Sequence, residues 1–411
     1  MPRGTIAAAL TLALALPAFA ADRADYVTLR TAELLNLQCA ALKYVEHSFL
    51  HDAVIATLDQ TRESLDLVTG AMSREAYDAW KLGADEEASA SAAEAGCTDA
   101  AQSYLLTGRA IANADIFRAM LLGFHFGSLP ADDRNHVALP ADQAQAAERY
   151  DVFLQQVYGE SYPGFAEAQR QRAVASLPAS ALPAPEPEPE PGIGKLPSFG
   201  AILSIDDADR ILLAQSQAAR VLRQVEFEVM AESNGWFVRP RQAGDGATMP
   251  SLERADGAAA GILVPVWFGP SAYRTQSGEE FRVALAQLPD GTIRAMTYGE
   301  AAGSLTAGAT VRLYLPAAAP PDGMSGLSLF EDPGFREAGT VFAGVPSGGP
   351  CLGGPCYDFP PDATPALWNL GRDGYAELFI APGAGAEPNP VEPGTARAGR
   401  LPAAALIRIR S

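Results

Sequence analysis

LPASALPAPEPEPEPGIGKLPS, residues 177–198, is the stretch that divides this chain. Its alternating prolines and glutamates have nothing to bury, and each proline removes a backbone donor. It therefore reads as an extended polyproline spacer outside any core. At about 3.1 Å per residue, residues 183–191 would span roughly 28 Å, stiffened by repulsion among the glutamates. GIGK at 192–195 is not a phosphate loop. Pro189 stands where that motif has its first glycine, and Leu196 where it has Ser or Thr.

Upstream of the spacer the grammar is helical. Leu34, Leu35, Leu37, Ala41, Leu42, Val45 and Phe49 recur at helical spacing and predict a first helix, and Ile55, Leu58, Leu65 and Leu67 predict a second that Gly70 ends. Ser73 is placed to cap a third helix that stops at Gly96, and Thr98 or Asp99 to start a fourth through Leu121. Residues 142–158 predict another.

Downstream, residues 206–232 predict one long helix. Ala208, Ile211, Ala218, Leu222, Val225 and Val229 lie on near-heptad spacing, which suits packing on the chain's own sheet or, alternatively, pairing with another helix. From Gly235 onward the period becomes two. Strands are expected at 236–239, 262–268, 280–287, 292–298, 310–315, 340–343, 375–380 and 403–409, with long loops at 316–323 and 346–362. The clearest unit is FRVALAQLPDGTIRAMTY, residues 281–298, in which Pro289-Asp290-Gly291 turns one strand into the next. The expected fold class is α+β and multidomain. An all-α helical bundle (21–176) precedes the spacer (177–198), and a mainly antiparallel β domain led by one long helix (199–411) follows it.

Residues 1–20, MPRGTIAAALTLALALPAFA, have the layout of a cleavable secretory signal: Arg3, an apolar run of about eleven residues, Pro17 and Ala18-Phe19-Ala20. The run is short for a membrane span, which needs roughly 20 residues. Cleavage is expected after Ala20, with the periplasm as destination and full secretion as the other possibility, and with no membrane span in the mature chain.

The formal charge of -19 comes from 49 Asp and Glu against 30 Lys and Arg, and only three of the basic residues are lysines. With no basic stripe, such a chain repels phosphate backbones, so no nucleic-acid partner is expected. Four cysteines in an oxidising compartment predict disulfides, and proximity in sequence favours Cys39–Cys97 and Cys351–Cys356. The CLGGPC segment spaces its cysteines too widely for a thioredoxin-like site, which makes it a loop staple.

The histidines are His47, His51, His125 and His136, so residues after 136 cannot supply a histidine base or a His-based zinc site of their own. His47 and His51, four apart, share a helix face and could hold a metal with Glu46, Asp52 or His125, although EHSFLHD is not the HExxH of a metalloprotease. The other reading is a pair of half-exposed histidines beside acidic neighbours. Paired carboxylates could still hydrolyse a glycan in the β domain, with Glu279, Glu280, Asp290 and Glu300 as candidates. Trp236, Trp267 and Trp368 would form a stacking platform if exposed, and core if not. No cofactor loop is present. The expected function is that of an exported, non-catalytic envelope protein that binds another envelope protein or cell-wall glycan. A carboxylate hydrolase and a metal-binding helical domain are the alternatives.

Overall fold

The computed structural model describes residues 23–64, 73–133, 135–178, 181, 205–242, 248–254, 260–264, 273–274, 280–288, 290–299, 302–303, 309–315, 338–349, 351–368, 375–381 and 399–402. The signal segment, nearly all of the spacer, Trp267 and the strand expected at 403–409 lie outside them. The fold is α+β: a helical region followed by antiparallel sheets.

The helical region runs α1 (Arg23–Cys39), α2 (Tyr44–Ser64), α3 (Arg74–Ala95), α4 (Gln102–Gly127), α5 (Ala141–Tyr158) and α6 (Tyr162–Ser176). The predicted first helix is two. The chain breaks at Ala40, whose φ of 49° is left-handed, and two side chains satisfy the exposed ends. Asn36 Oδ1 accepts from the Leu42 N–H, and Glu46 Oε2 accepts from the Lys43 N–H at the start of α2. In α3, Ser73 Oγ accepts from the Ala76 N–H and Gly96 closes the helix at positive φ, as its sequence predicts.

One face of α3 is an alanine stripe. Ala84, Ala88, Ala92 and Ala95 are all buried, and these small side chains let α1 approach closely, with Leu35 of α1 in the same cluster as Ala92 and Ala95. The Cys39–Cys97 disulfide joins the end of α1 to the turn before α4, beside that cluster.

A long helix, α7 (Ile205–Ser233), follows. The boundary between the two compact units of the chain falls inside it, after Glu226. The sequence suggests packing on a sheet, yet Ile211 and Ala218 join Leu122, Phe126, Ala173, Leu177 and Ala181 in the helical unit's core. A methyl added at Gly123 of α4 would lie 2.5 Å from Leu222, so a glycine is what admits this helix. Arg220 stacks on the Phe49 ring at 4.9 Å and pairs with Asp52 of α2.

The β unit contains β1 (Trp236–Gln242), β2 (Thr248–Arg254), β3 (Ala260–Val264), β4 (Tyr273–Arg274), β5 (Glu280–Gln287), β6 (Ile293–Tyr298), β7 (Thr310–Leu315), β8 (Thr340–Ala343), β9 (Val345–Pro346), β10 (Cys356–Asp358), the short helix α8 (Ala363–Trp368), β11 (Tyr375–Ala381) and β12 (Gly399–Pro402). All pairings among the described residues are antiparallel. One sheet is ordered β1-β2-β3-β5-β6-β10-β9, with β4 also on β5, and the other β12-β11-β7-β8.

Alternate residues of both sheets make one core: Phe281, Val283 and Leu285 of β5, Ile293 and Ala295 of β6, Val311, Leu313 and Leu315 of β7, and Ala376, Leu378 and Ile380 of β11. Each large apolar side chain there contributes about 1.5–3 kcal/mol on burial. On the opposite face of β6, Tyr298 meets the Phe227 ring edge-on at 5.5 Å.

The 346–362 segment is not all loop. Cys356, Tyr357 and Asp358 form a strand between β6 and β9, and Asp358 takes two bonds from Arg294, its register partner, at 2.6 and 2.9 Å. The Cys351–Cys356 disulfide fastens the preceding Gly/Pro loop to that strand.

Candidate functional site

A connected set of buried polar side chains lies in the helical unit, along α1, α2, α4 and α5. Glu46, fully buried, accepts from Arg109 Nε (3.1 Å), Asn113 Nδ2 (3.0 Å) and the Lys43 N–H (2.8 Å), and Tyr150 donates to Asn113 Oδ1 (2.9 Å). Three donors on one carboxylate offset the cost of taking it from water.

Next to Glu46 in the sequence, His47 is buried. Asn36 Nδ2 lies 3.1 Å from His47 Nδ1, while Asn36 Oδ1 faces the Leu42 N–H. That second bond fixes the amide, so its NH2 points at the imidazole and Nδ1 must present a lone pair. The neutral ring then carries its proton on Nε2, which has no hydrogen-bond partner among the described residues. Burial pushes the His47 pKa down to about 4, which keeps the ring neutral. An Nε2 that carries a proton has no lone pair for a cation.

His51, a further turn along, is half-exposed, and its Nδ1 donates to Glu33 Oε1 at 2.5 Å. Arg30 donates to the other oxygen of Glu33. Burial pushes the Glu33 pKa upward, but the bonds from His51 and Arg30 outweigh it and hold the carboxyl below its ordinary value. The bond to Glu33 raises the His51 pKa, with burial opposing.

The spacing of His47 and His51 is legible in the sequence; their separate partners on α1, Asn36 and Glu33, are not. His125 Nε2 bonds to the Ala181 carbonyl, and His136 Nδ1 to that of Leu129. Among the described residues, no group of three or more His, Cys, Asp or Glu side chains is arranged to hold a metal ion.

The chain matches no family model, no curated protein and no solved structure.

In the β unit, Trp236 is only 1% exposed and donates through Nε1 to the Cys351 carbonyl at 3.3 Å, so its ring belongs to the core and not to a platform. Trp368 ends α8, and its side chain, like Trp267 and Glu279 and Glu300, lies outside what is described. Asp290 caps the β5–β6 turn by accepting from the Thr292 N–H, a bond that also lowers its pKa. All four cysteines are paired as the sequence predicts. Among the described residues no helix is long and apolar enough to cross a membrane.

Proposed function

We propose that this is an exported protein of the bacterial envelope that acts by binding, with another envelope protein or the cell-wall glycan as its partner. The observation that carries the reading is the fate of the chemistry-bearing groups in the helical unit. Glu46 is saturated by three donors, His47 is buried and neutral, and Glu33 lies between Arg30 and His51. These groups hold helices together, which leaves recognition to exposed surfaces. Export accounts for the paired cysteines, one bond within each unit, and for the leader-like first twenty residues.

The test uses the full chain with its disulfides formed. It is sedimented with purified cell-wall sacculi and, separately, immobilised to capture partners from a periplasmic extract. Saturable retention on sacculi, or stoichiometric capture of a discrete envelope protein, is expected. Neither form of retention, or release of soluble sugar or peptide from the sacculi, contradicts the reading.

A further inference from the structure

The strand at the edge of a sheet presents a row of unpaired N–H and C=O groups that a further strand can use. The two sheets end in β1 and β9, and in β12 and β8. Three of these strands carry a proline: Pro240 in β1, Pro346 in β9 and Pro402 in β12. Pro240 stands opposite Pro250, and neither has an N–H, so the pair is non-hydrogen-bonded and the missing donor of Pro240 lies on the outer edge. In β9 the Ser347 N–H bonds to the Cys356 carbonyl, a phase that turns Pro346 outward in the same way. A strand added to β1 or β9 would lose a ladder bond.

The edge strand β8 has no such guard. Its phase follows from the Gly344 N–H, which bonds to the Val311 carbonyl at 2.8 Å. In register, Phe342 then faces Leu313 and Thr340 faces Leu315 in hydrogen-bonded pairs, which leaves Val341 and Ala343 in the non-hydrogen-bonded positions. The N–H and C=O groups of Val341 and Ala343 therefore point away from β7, toward an edge with no strand partner among the described residues. Val341 is 44% exposed and Ala343 is exposed, while Phe342 between them is buried in the core. Charge is missing too. Residues 338–357 contain no Asp, Glu, Lys or Arg, in a chain of which these make up 19%.

We propose that β8 is where two copies of this chain pair, antiparallel about a two-fold axis at Phe342, joining their sheets edge to edge. The strand is complementary to itself. With Phe342 opposite its own copy, Val341 meets Ala343 of the second copy and Ala343 meets its Val341, so outward groups meet outward groups in two hydrogen-bonded pairs. A shift of one residue would set them against groups already bonded to β7. In each pair the larger valine faces the smaller alanine. Two chains of net charge -19 repel each other, so their contact requires a surface without charge, and this edge provides one. The pairing is independent of the envelope partner proposed above.

Sedimentation velocity of the full, oxidised chain over a range of concentrations tests this. One-chain and two-chain species in concentration-dependent exchange are expected, with added salt favouring the dimer because it screens the like charges. Val341→Pro removes an outward donor and no bond to β7, and Val341→Glu keeps the donor but adds like charge. Each should weaken dimerisation about tenfold or more, with circular dichroism reporting that the variant is folded. A single one-chain species at every concentration and salt overturns the proposal, as does an undiminished dimer in either folded variant. A chain that stays single and pairs this edge with another protein's strand also overturns it, while leaving the binding reading intact.

Discussion

Glu33 and His51 form a contact between α1 and α2 in which a carboxylate nearly sealed from solvent, its side chain 2% exposed, is bonded at 2.5 Å to an imidazole whose side chain is 50% exposed. One turn back on α2, His47 meets the opposite fate, buried against an amide. Two histidines on one helix therefore give stability opposite dependences on pH.

For His47 the folded pKa is depressed from 6.5 to about 4. The unfolded chain takes up a proton near pH 6.5 that the folded chain refuses, so stability falls by about 3 kcal/mol as pH drops from 6.5 to 4. For His51 the folded pKa is raised, so its contribution is complete below 6.5 and is lost as pH rises through the raised value. Stability of the helical unit should peak near neutrality. Urea titrations across pH check this: His47→Gln should flatten the acid limb and His51→Gln the alkaline limb. Unchanged limbs in both variants would mean that neither histidine is held as described.

The Cys39–Cys97 bond closes a sequence separation of 58 residues. Replacing both cysteines with alanine should lower stability by about 4 kcal/mol on the loop-entropy model, against about 2 kcal/mol for the Cys351–Cys356 pair, whose separation is 5. Denaturant midpoints of the two double variants should keep that order, with the reverse order counting against it.

Gly354 sits where the disulfide loop presses on β6. A methyl group there would come within 2.3 Å of Thr297 Oγ1 and 2.8 Å of the Thr297 carbonyl, whereas one at Gly348 meets nothing within 4 Å. Gly354→Ala should cost about 1–3 kcal/mol and Gly348→Ala close to nothing, read from thermal melts of the two variants. Equal effects would mean that the loop is not seated on β6 as described.

Local signals carried much of this fold. The Ser73 cap, the Gly96 stop and the Pro289-Asp290-Gly291 turn act within a few residues, so sequence alone places α3 and the β5–β6 hairpin. Features fixed by distant partners were less legible. The break at Ala40 depends on Asn36 and Glu46 reaching across the turn, and an alanine carries no propensity for it. β10 lies in a Gly/Pro-rich segment and is a strand because β6 and β9 flank it. α7 shows a seam whose partner, at Gly123, is some hundred residues earlier.

The candidate sites follow the same rule. The i, i+4 spacing of His47 and His51 is visible in the sequence, but the amide that fixes the tautomer of His47 comes from another helix. Trp236 is one of three candidate platform tryptophans, with Trp267 and Trp368. Strand alternation buries it and exposes its neighbour Phe237, a signal that was available once the phase of β1 was known.

Export of this chain with its cysteines closed is tested by intact mass spectrometry of the protein from its own cells after alkylation without reductant. The expected product is a periplasmic or secreted species beginning at Ala21, carrying no alkyl group and lighter by four hydrogens than the reduced chain. A cytosolic species that retains Met1 and takes up an alkyl group on each of Cys39, Cys97, Cys351 and Cys356 would contradict it.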